Sequence, residues 1–217
     1  MAATQTIRPT CVLINSMCMT TALYRPQFES AELTAAVNLL AIEPLGHGAT
    51  SCATEHFTYW DSAIMALQVL DALNIKKRVI PLGTSMDSES PDSRSKGCWD
   101  PAPLLAPFHD KWSGIGFGAN SPAETGEFWT KTLKEVYRGD EGRKKVRMAV
   151  NCLLERDGLL MRLRDVKCPV YWLQAIRLLS GSVEASLRMV EGGAHYLNAT
   201  NPAEVNQAVL EMVRKYA

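Results

Sequence analysis

Charge of either sign is not in excess in this chain. Its 217 residues include 23 Lys and Arg against 23 Asp and Glu. A nucleic-acid binder usually shows a basic surplus, so no nucleic-acid partner is expected. The run Arg143-Lys144-Lys145 reads as a solvated helix face. Long apolar runs are missing too. None reaches the ~18 residues that a membrane-spanning helix needs, so no membrane partner is expected. The stretch from Met1 to Pro9 lacks the apolar centre of a signal peptide. The ending Lys215-Tyr216-Ala217 is not the Ser-Lys-Leu peroxisomal address. The expected compartment is the cytoplasm. The peroxisome is the alternative, without its usual address.

Six cysteines (Cys11, Cys18, Cys52, Cys98, Cys152 and Cys168) show no C-x-x-C and no clustered Cys/His spacing. That argues against a zinc site and against a disulfide framework, and fits a reducing compartment. Cys11 and Cys168 are read in strand-like apolar runs, as small hydrophobes. His56 and His109 lack ligand-spaced partners. No internal repeat of solenoid length is visible, and no cofactor is implied.

What the chain does have is an alternation of strand-like and helix-like segments. That pattern predicts an α/β fold with a parallel sheet. Strands are expected at 10–14, 37–42, 78–82, 170–173 and 187–190. Helices are expected at 24–36, 60–73, 127–165 and 202–216. In the last, Val205, Val209, Met212 and Val213 are spaced to face the sheet. Pro81 weakens the third strand, because proline cannot donate to a central ladder. Residues 86–126 are rich in Ser, Pro, Gly and Asp, with Trp99, Phe108, Trp112 and Phe117 interspersed. The expected organisation is one domain over 1–217 with a lid at about 86–150.

Four segments offer chemistry. Gly83-Thr84-Ser85-Met86-Asp87 follows a strand as a nucleophile elbow does. The G-x-S-x-G pattern places a serine on a strained strand-to-helix turn. Here Asp87 stands in place of the last glycine, and Pro91 spoils the following helix. Ser85 is therefore either the nucleophile or an ordinary loop residue. Glu191-Gly-Gly-Ala-His195 puts a histidine on a loop between strand and helix, where it can take a proton from a serine. Asn15-Ser-Met17-Cys18 follows the first strand. The backbone N–H groups of Met17 and Met86 are candidate oxyanion donors, although Asn-Ser after a strand is also simply a good turn. The acid that should orient the histidine is unknown. Ala175-Ile-Arg-Leu-Leu-Ser-Gly181 contains no Asp or Glu.

Val12-Leu-Ile-Asn15, Glu43-Pro-Leu-Gly-His-Gly48, Leu82-Gly-Thr-Ser85 and Glu191-Gly-Gly-Ala-His195 together resemble the α/β-hydrolase superfamily in chain order. That superfamily runs its triad Ser, acid, His. Tyr24-Arg-Pro-Gln-Phe28 and Gly97-Cys-Trp-Asp100 resemble a fungal branch encoded in toxin and other secondary-metabolite clusters, such as those of the Alternaria host-selective toxins. The resemblance implies an esterase- or thioesterase-like fold, with Ser85 and His195 in the catalytic positions and His47 structural. It also implies internal losses. In that branch the strand after the elbow helix can itself read Ile-Pro-Leu-Gly-Thr-Ser. Residues 79–85 are then either the elbow strand or that later strand, with the elbow deleted. The loop after Gln174 looks shortened as well. A transcript read across Lys77–Arg78 and Gln174–Ala175 tests for skipped coding sequence.

Three functions remain open at this level. The first is hydrolysis of an ester, thioester or lactone of a small metabolite. The second is a catalytically inactive binding or accessory protein. The third is a non-functional splice or gene-model variant that folds poorly. A lost crossover would expose apolar sheet faces, so low soluble yield or self-association is expected. A displaced or unoriented Ser85–His195 pair predicts negligible ester turnover and no labelling by a fluorophosphonate.

Overall fold

The computed structural model describes residues 8–84, 116–118, 121–156, 165–174 and 185–216. Strand β1 (Thr10–Ile14) lies between β2 (Asn38–Ile42) and β3 (Val79–Gly83), and both pairings are parallel. A second parallel pair is formed by β4 (Val170–Gln174) and β5 (Ala185–Met189). β1 is almost wholly buried, as expected of an apolar central parallel strand. The predicted α/β architecture with a parallel sheet is therefore present. β5 begins two residues earlier than its apolar pattern indicates.

Pro81 costs this sheet nothing on its β1 side. Thr10 N–H donates to the Arg78 carbonyl at 2.8 Å, and Thr84 N–H donates to the Ile14 carbonyl at 3.3 Å. In a parallel register of Thr10 with Val79, the even-numbered residues of β3 then turn their backbone groups to β1. Pro81 turns its absent donor the other way. Among the described strands, β3 ends its hydrogen-bonded sheet, which is where proline is tolerated.

The single helix expected over 24–36 is three pieces. A 3-10 turn (Thr21–Tyr24) leads into α1 (Arg25–Glu29) and α2 (Ala31–Ala36). Ser30 makes the break. Its backbone is extended and its hydroxyl accepts from Leu33 N–H at 3.3 Å, so a new helix starts on its cap. α3 (Tyr59–Ala72) opens on a reciprocal capping box between Thr58 and Asp61. Tyr59 packs against the cluster of Phe57, Met148 and Cys152, but α3 has no fully buried residue, and Ile64 is 53% and Leu67 61% exposed.

The segment expected as one long helix is α4 (Ala123–Val136) and α5 (Gly139–Leu154). Tyr137 and Arg138 separate them, and Gly139, the first residue of α5, takes a left-handed φ of +66°. The bidentate pair Arg147–Glu55, at 3.1 Å for each bond, ties α5 to the loop before α3. At the end of the chain come the short α6 (Leu197–Thr200) and then α7 (Pro202–Tyr216). α7 buries Val205, Ala208, Val209 and Leu210, while Met212 and Val213 are only half-buried. The predicted face was thus rotated slightly from the true one. Cys168 is another correction. It is exposed and precedes β4, so it is not a strand residue.

Candidate active site

The carboxyl ends of β1 and β3 are joined by one phenol. Tyr24, fully buried, donates its hydroxyl to the Ile14 carbonyl at 2.6 Å and lies 3.2 Å from the Leu82 carbonyl. The same oxygen is 2.8 Å from Thr84 Oγ1. Burial raises the Tyr24 pKa well above its ordinary value, so the group stays a neutral donor. Thr84 Oγ1 in turn donates to Asn198 Oδ1 at 3.1 Å. Asn198 Nδ2 donates back to the Leu23 carbonyl at 2.9 Å, and Gln27 Nε2 donates to the Asn198 carbonyl at 2.8 Å. A chain of close polar contacts, partly buried, thus runs from the first turn of the fold, through the end of β3, to α6.

This chain of bonds bears on both sequence-predicted catalytic residues. Thr84 immediately precedes Ser85, and Asn198 follows His195 by three residues. Ser85 and Met86 lie outside the described residues, as does Asp87. The 175–184 stretch, which follows β4 where the triad acid is expected, lies outside them too. His195 is described. It is exposed on the loop between β5 and α6, which turns at Gly192 with φ +68°. Its ring meets Tyr196 edge-on, at a centroid separation of 5.2 Å.

Tyr196 anchors that loop. It is 1% exposed, donates its N–H to the Gly116 carbonyl at 2.9 Å, and packs edge-on against Phe117 at 5.1 Å. Gly116 has to be glycine, because a Cβ there would collide with the Tyr196 ring. Phe117 stacks on Trp129 of α4 at 5.6 Å. Met17, Phe117, Trp129 and Tyr196 belong to one buried cluster over the sheet's carboxyl end.

The loop after β1 is tight. Asn15 Nδ2 donates to the Ser16 carbonyl at 3.1 Å and to the Met19 carbonyl at 2.7 Å. Cys18 takes a left-handed φ of +56°, and Met17 sits at the turn's head, 4% exposed. Burial pushes the Cys18 thiol up to about 12, which leaves it a small apolar filler.

His47 is buried beside this loop. Its Nδ1 lies 2.9 Å from the Leu45 carbonyl, and burial lowers its pKa. The neighbouring Glu43 carboxylate accepts from Thr21 N–H at 3.0 Å and Ala49 N–H at 2.7 Å. The Glu43-to-Gly48 turn therefore holds loops together. Among the described residues, no three His, Cys, Asp or Glu side chains group as metal ligands, and no helix is long and apolar enough to cross a membrane.

No protein-family model matches this sequence, and no curated protein matches it. Solved structures do. A hydrolase from Pseudomonas aeruginosa PA01 superposes with a TM-score of 0.73 at 18% identity, over 95% of this chain and 90% of its own. The enol-lactonase of Burkholderia xenovorans LB400 gives 0.71 at 16% identity, over 96% and 92%. MenH from S. aureus gives 0.71 at 13% identity, over 98% and 96%. The chain has the α/β-hydrolase fold.

Within an α/β-hydrolase frame, the triad order Ser, acid, His matches the order in which this chain presents Ser85 and His195. Sequence reasoning names Ser85 and His195 as candidates but not the polar contacts between the residues beside them. Tyr24, Thr84, Asn198 and Gln27 carry them. Part of the signal lies in the sequence: Tyr24 and Gln27 belong to the Tyr24-Arg-Pro-Gln-Phe28 motif, and Thr84 to Gly83-Thr84-Ser85-Met86-Asp87.

Proposed function

We propose that this α/β-hydrolase-fold protein hydrolyses an ester, thioester or lactone of a small metabolite in the cytoplasm. Ser85 attacks the carbonyl carbon while His195 takes the Ser85 proton, then returns it to the leaving oxygen or sulfur. Water repeats the sequence on the acyl-enzyme. The Met17 and Met86 N–H groups hold the oxyanion. α4 and α5 form part of the lid within 86–150. No cofactor takes part.

The observation that carries this reading is the 3.1 Å bond from Thr84 Oγ1 to Asn198 Oδ1. It brings the residue before Ser85 against the turn after His195, and it favours residues 79–85 as the elbow strand. The direct pairing of β3 with β1 supports the same assignment. For the lactone option, support comes from an enol-lactonase and an N-acyl homoserine lactone-degrading enzyme among the fold neighbours. The resemblance to toxin-cluster hydrolases supports a fungal secondary metabolite as the substrate's source. Turnover is expected to be slow. Where a serine protease lost its correct orienting group, turnover fell by about 10⁴, and 175–181 supplies no carboxylate here.

The test is labelling by a fluorophosphonate, which the sequence alone leads one to expect to fail: the proposal requires slow labelling that reaches one equivalent, is abolished in Ser85→Ala and is strongly reduced in His195→Ala. A wild-type protein that is folded but unlabelled would sink the proposal. The second reading, a non-catalytic binding protein, would then gain. What favours it is the filling of the sheet's carboxyl end by Met17, Phe117, Trp129 and Tyr196.

A further inference from the structure

The loop after β1 turns back on itself over four residues, Ser16 to Met19. Met19 N–H donates to the Ser16 carbonyl at 3.0 Å, and Cys18, third of the four, has a φ of +56°. A left-handed third residue after a second residue of ordinary φ makes this a type II β-turn, where glycine is the usual third residue. A side chain makes that conformation unfavourable. Cys18 bears one, so a contact beyond the turn's own hydrogen bond has to hold it.

Asn15 supplies that contact. Its side chain is fully buried, and Nδ2 reaches two carbonyls at once, Ser16 at 3.1 Å and Met19 at 2.7 Å. Those are the first and last residues of the turn. Both protons of the amide group are used, and both partners are acceptors, which fixes the end of the carboxamide that faces them. Leucine matches its shape and offers neither donor. Two residues beyond Met19 the chain is pinned again, by Thr21 N–H on Glu43 at 3.0 Å.

This clamp leaves two N–H groups over. Met17 is 4% and Cys18 0% exposed, and among the described residues neither N–H has an acceptor. Buried N–H groups without a partner are rare in folded proteins, and backbone strain of the kind seen at Cys18 clusters at active sites. We infer that Asn15 is a positioning residue for the proposed hydrolysis: by holding Ser16 and Met19 together around Cys18, its carboxamide keeps the Met17 N–H free of internal bonds and in place for the oxyanion. This rests on the reading that Ser85 attacks an acyl carbonyl. Asn15 itself touches neither substrate nor the reacting atoms.

The test compares turnover of 4-nitrophenyl acetate with that of its thionoester, in which sulfur replaces the carbonyl oxygen. Sulfur is a weak acceptor, so donors placed for an oxyanion help it far less. In Asn15→Leu the oxygen-to-sulfur ratio of kcat/KM should fall by about 10²-fold, the lower end of the loss for one oxyanion donor. Both substrates are read on the same sample, so the fraction folded cancels and a merely structural role leaves the ratio unmoved. Asn15→Ser, whose hydroxyl donates once, should lower it less, and serves if Asn15→Leu does not fold. Cys18→Gly added to either variant should restore much of the ratio, because glycine holds the left-handed region without a clamp. With an active wild type, an unchanged ratio in the Asn15 variants would overturn the role of Asn15 alone. A ratio that stays low after Cys18→Gly would overturn the turn as its route. A wild type with neither turnover nor fluorophosphonate labelling would overturn the hydrolase reading, and this inference with it.

Discussion

Thr84 and Asn198 are 114 residues apart in sequence and share a hydrogen bond of 3.1 Å. Thr84 is half-buried, but its partners Tyr24 and Asn198 are buried, so loss of the Thr84 hydroxyl leaves their polar atoms without a partner rather than handing them to water. Thr84→Val should cost about 1–3 kcal/mol, the range for leaving buried partners unsatisfied. Tyr24→Phe should cost a similar amount. The double variant should cost clearly less than the sum, because both changes break one network. Urea denaturation with an unchanged m-value checks this. Strict additivity would mean that the two hydroxyls act separately.

Acid should weaken the fold through His47. Burial is the main cause of its lowered pKa, offset in part by the Leu45 carbonyl and the Glu43 charge, while Lys145 adds to the lowering. The unfolded chain takes up this proton near pH 6.5, and the folded chain resists it. The unfolded state therefore binds more protons below that pH, and stability falls as pH drops through and below about 6.5. Above it, this group contributes no slope. Melting curves from pH 7.5 to 5 should show the fall, and His47→Gln should flatten it. An unchanged slope in the variant would assign the acid sensitivity elsewhere.

Two helical glycines should respond in opposite directions to alanine. A Cβ on Gly142 of α5 would strike the backbone carbonyl of Tyr137, which no rotamer change relieves. Gly142→Ala should destabilise by about 1–3 kcal/mol, as overpacking does. Gly126 of α4 faces open space. Gly126→Ala should stabilise by about 0.5–1 kcal/mol through helix propensity. Thermal melts of the two variants, run side by side, test the pair.

α3 should limit solution behaviour. Trp60, Ile64 and Leu67 are 47%, 53% and 61% exposed at helical spacing, which makes an apolar stripe of the kind that drives association. The expected wild-type behaviour is concentration-dependent oligomerisation. Ile64→Lys with Leu67→Glu should shift it toward monomer without lowering the melting temperature. Light scattering after size exclusion reads both forms. A wild-type monomer at high concentration would contradict this.

The sequence made these strands and the parallel sheet legible because β1, β2 and β3 are short apolar runs punctuated by Pro and Gly. His195 was legible for a similar reason: two glycines and a helix start isolate it. Other features were set by long-range contacts. The break at Ser30 depends on a cap, which competes well with a continuous helical pattern. The α3 stripe reads as core because periodicity reports amphipathicity and not the presence of a partner. Tyr24 was hidden because a buried phenol earns its place through the carbonyls of Ile14 and Leu82, and no spacing rule brings those three together.

Pro81 also divides the motions of its strand. Ile80 and Leu82 direct their amides to β1, while Val79 and Gly83 direct theirs to the opposite side of the strand. Amide exchange along β3 should therefore alternate, slow at residues 80 and 82 and fast at 79 and 83, a residue-by-residue record of which side of one strand is anchored. The side of β3 that lacks a proline amide would then open before β3 unzips from β1, and a single imino acid would mark which side of the strand lets go first.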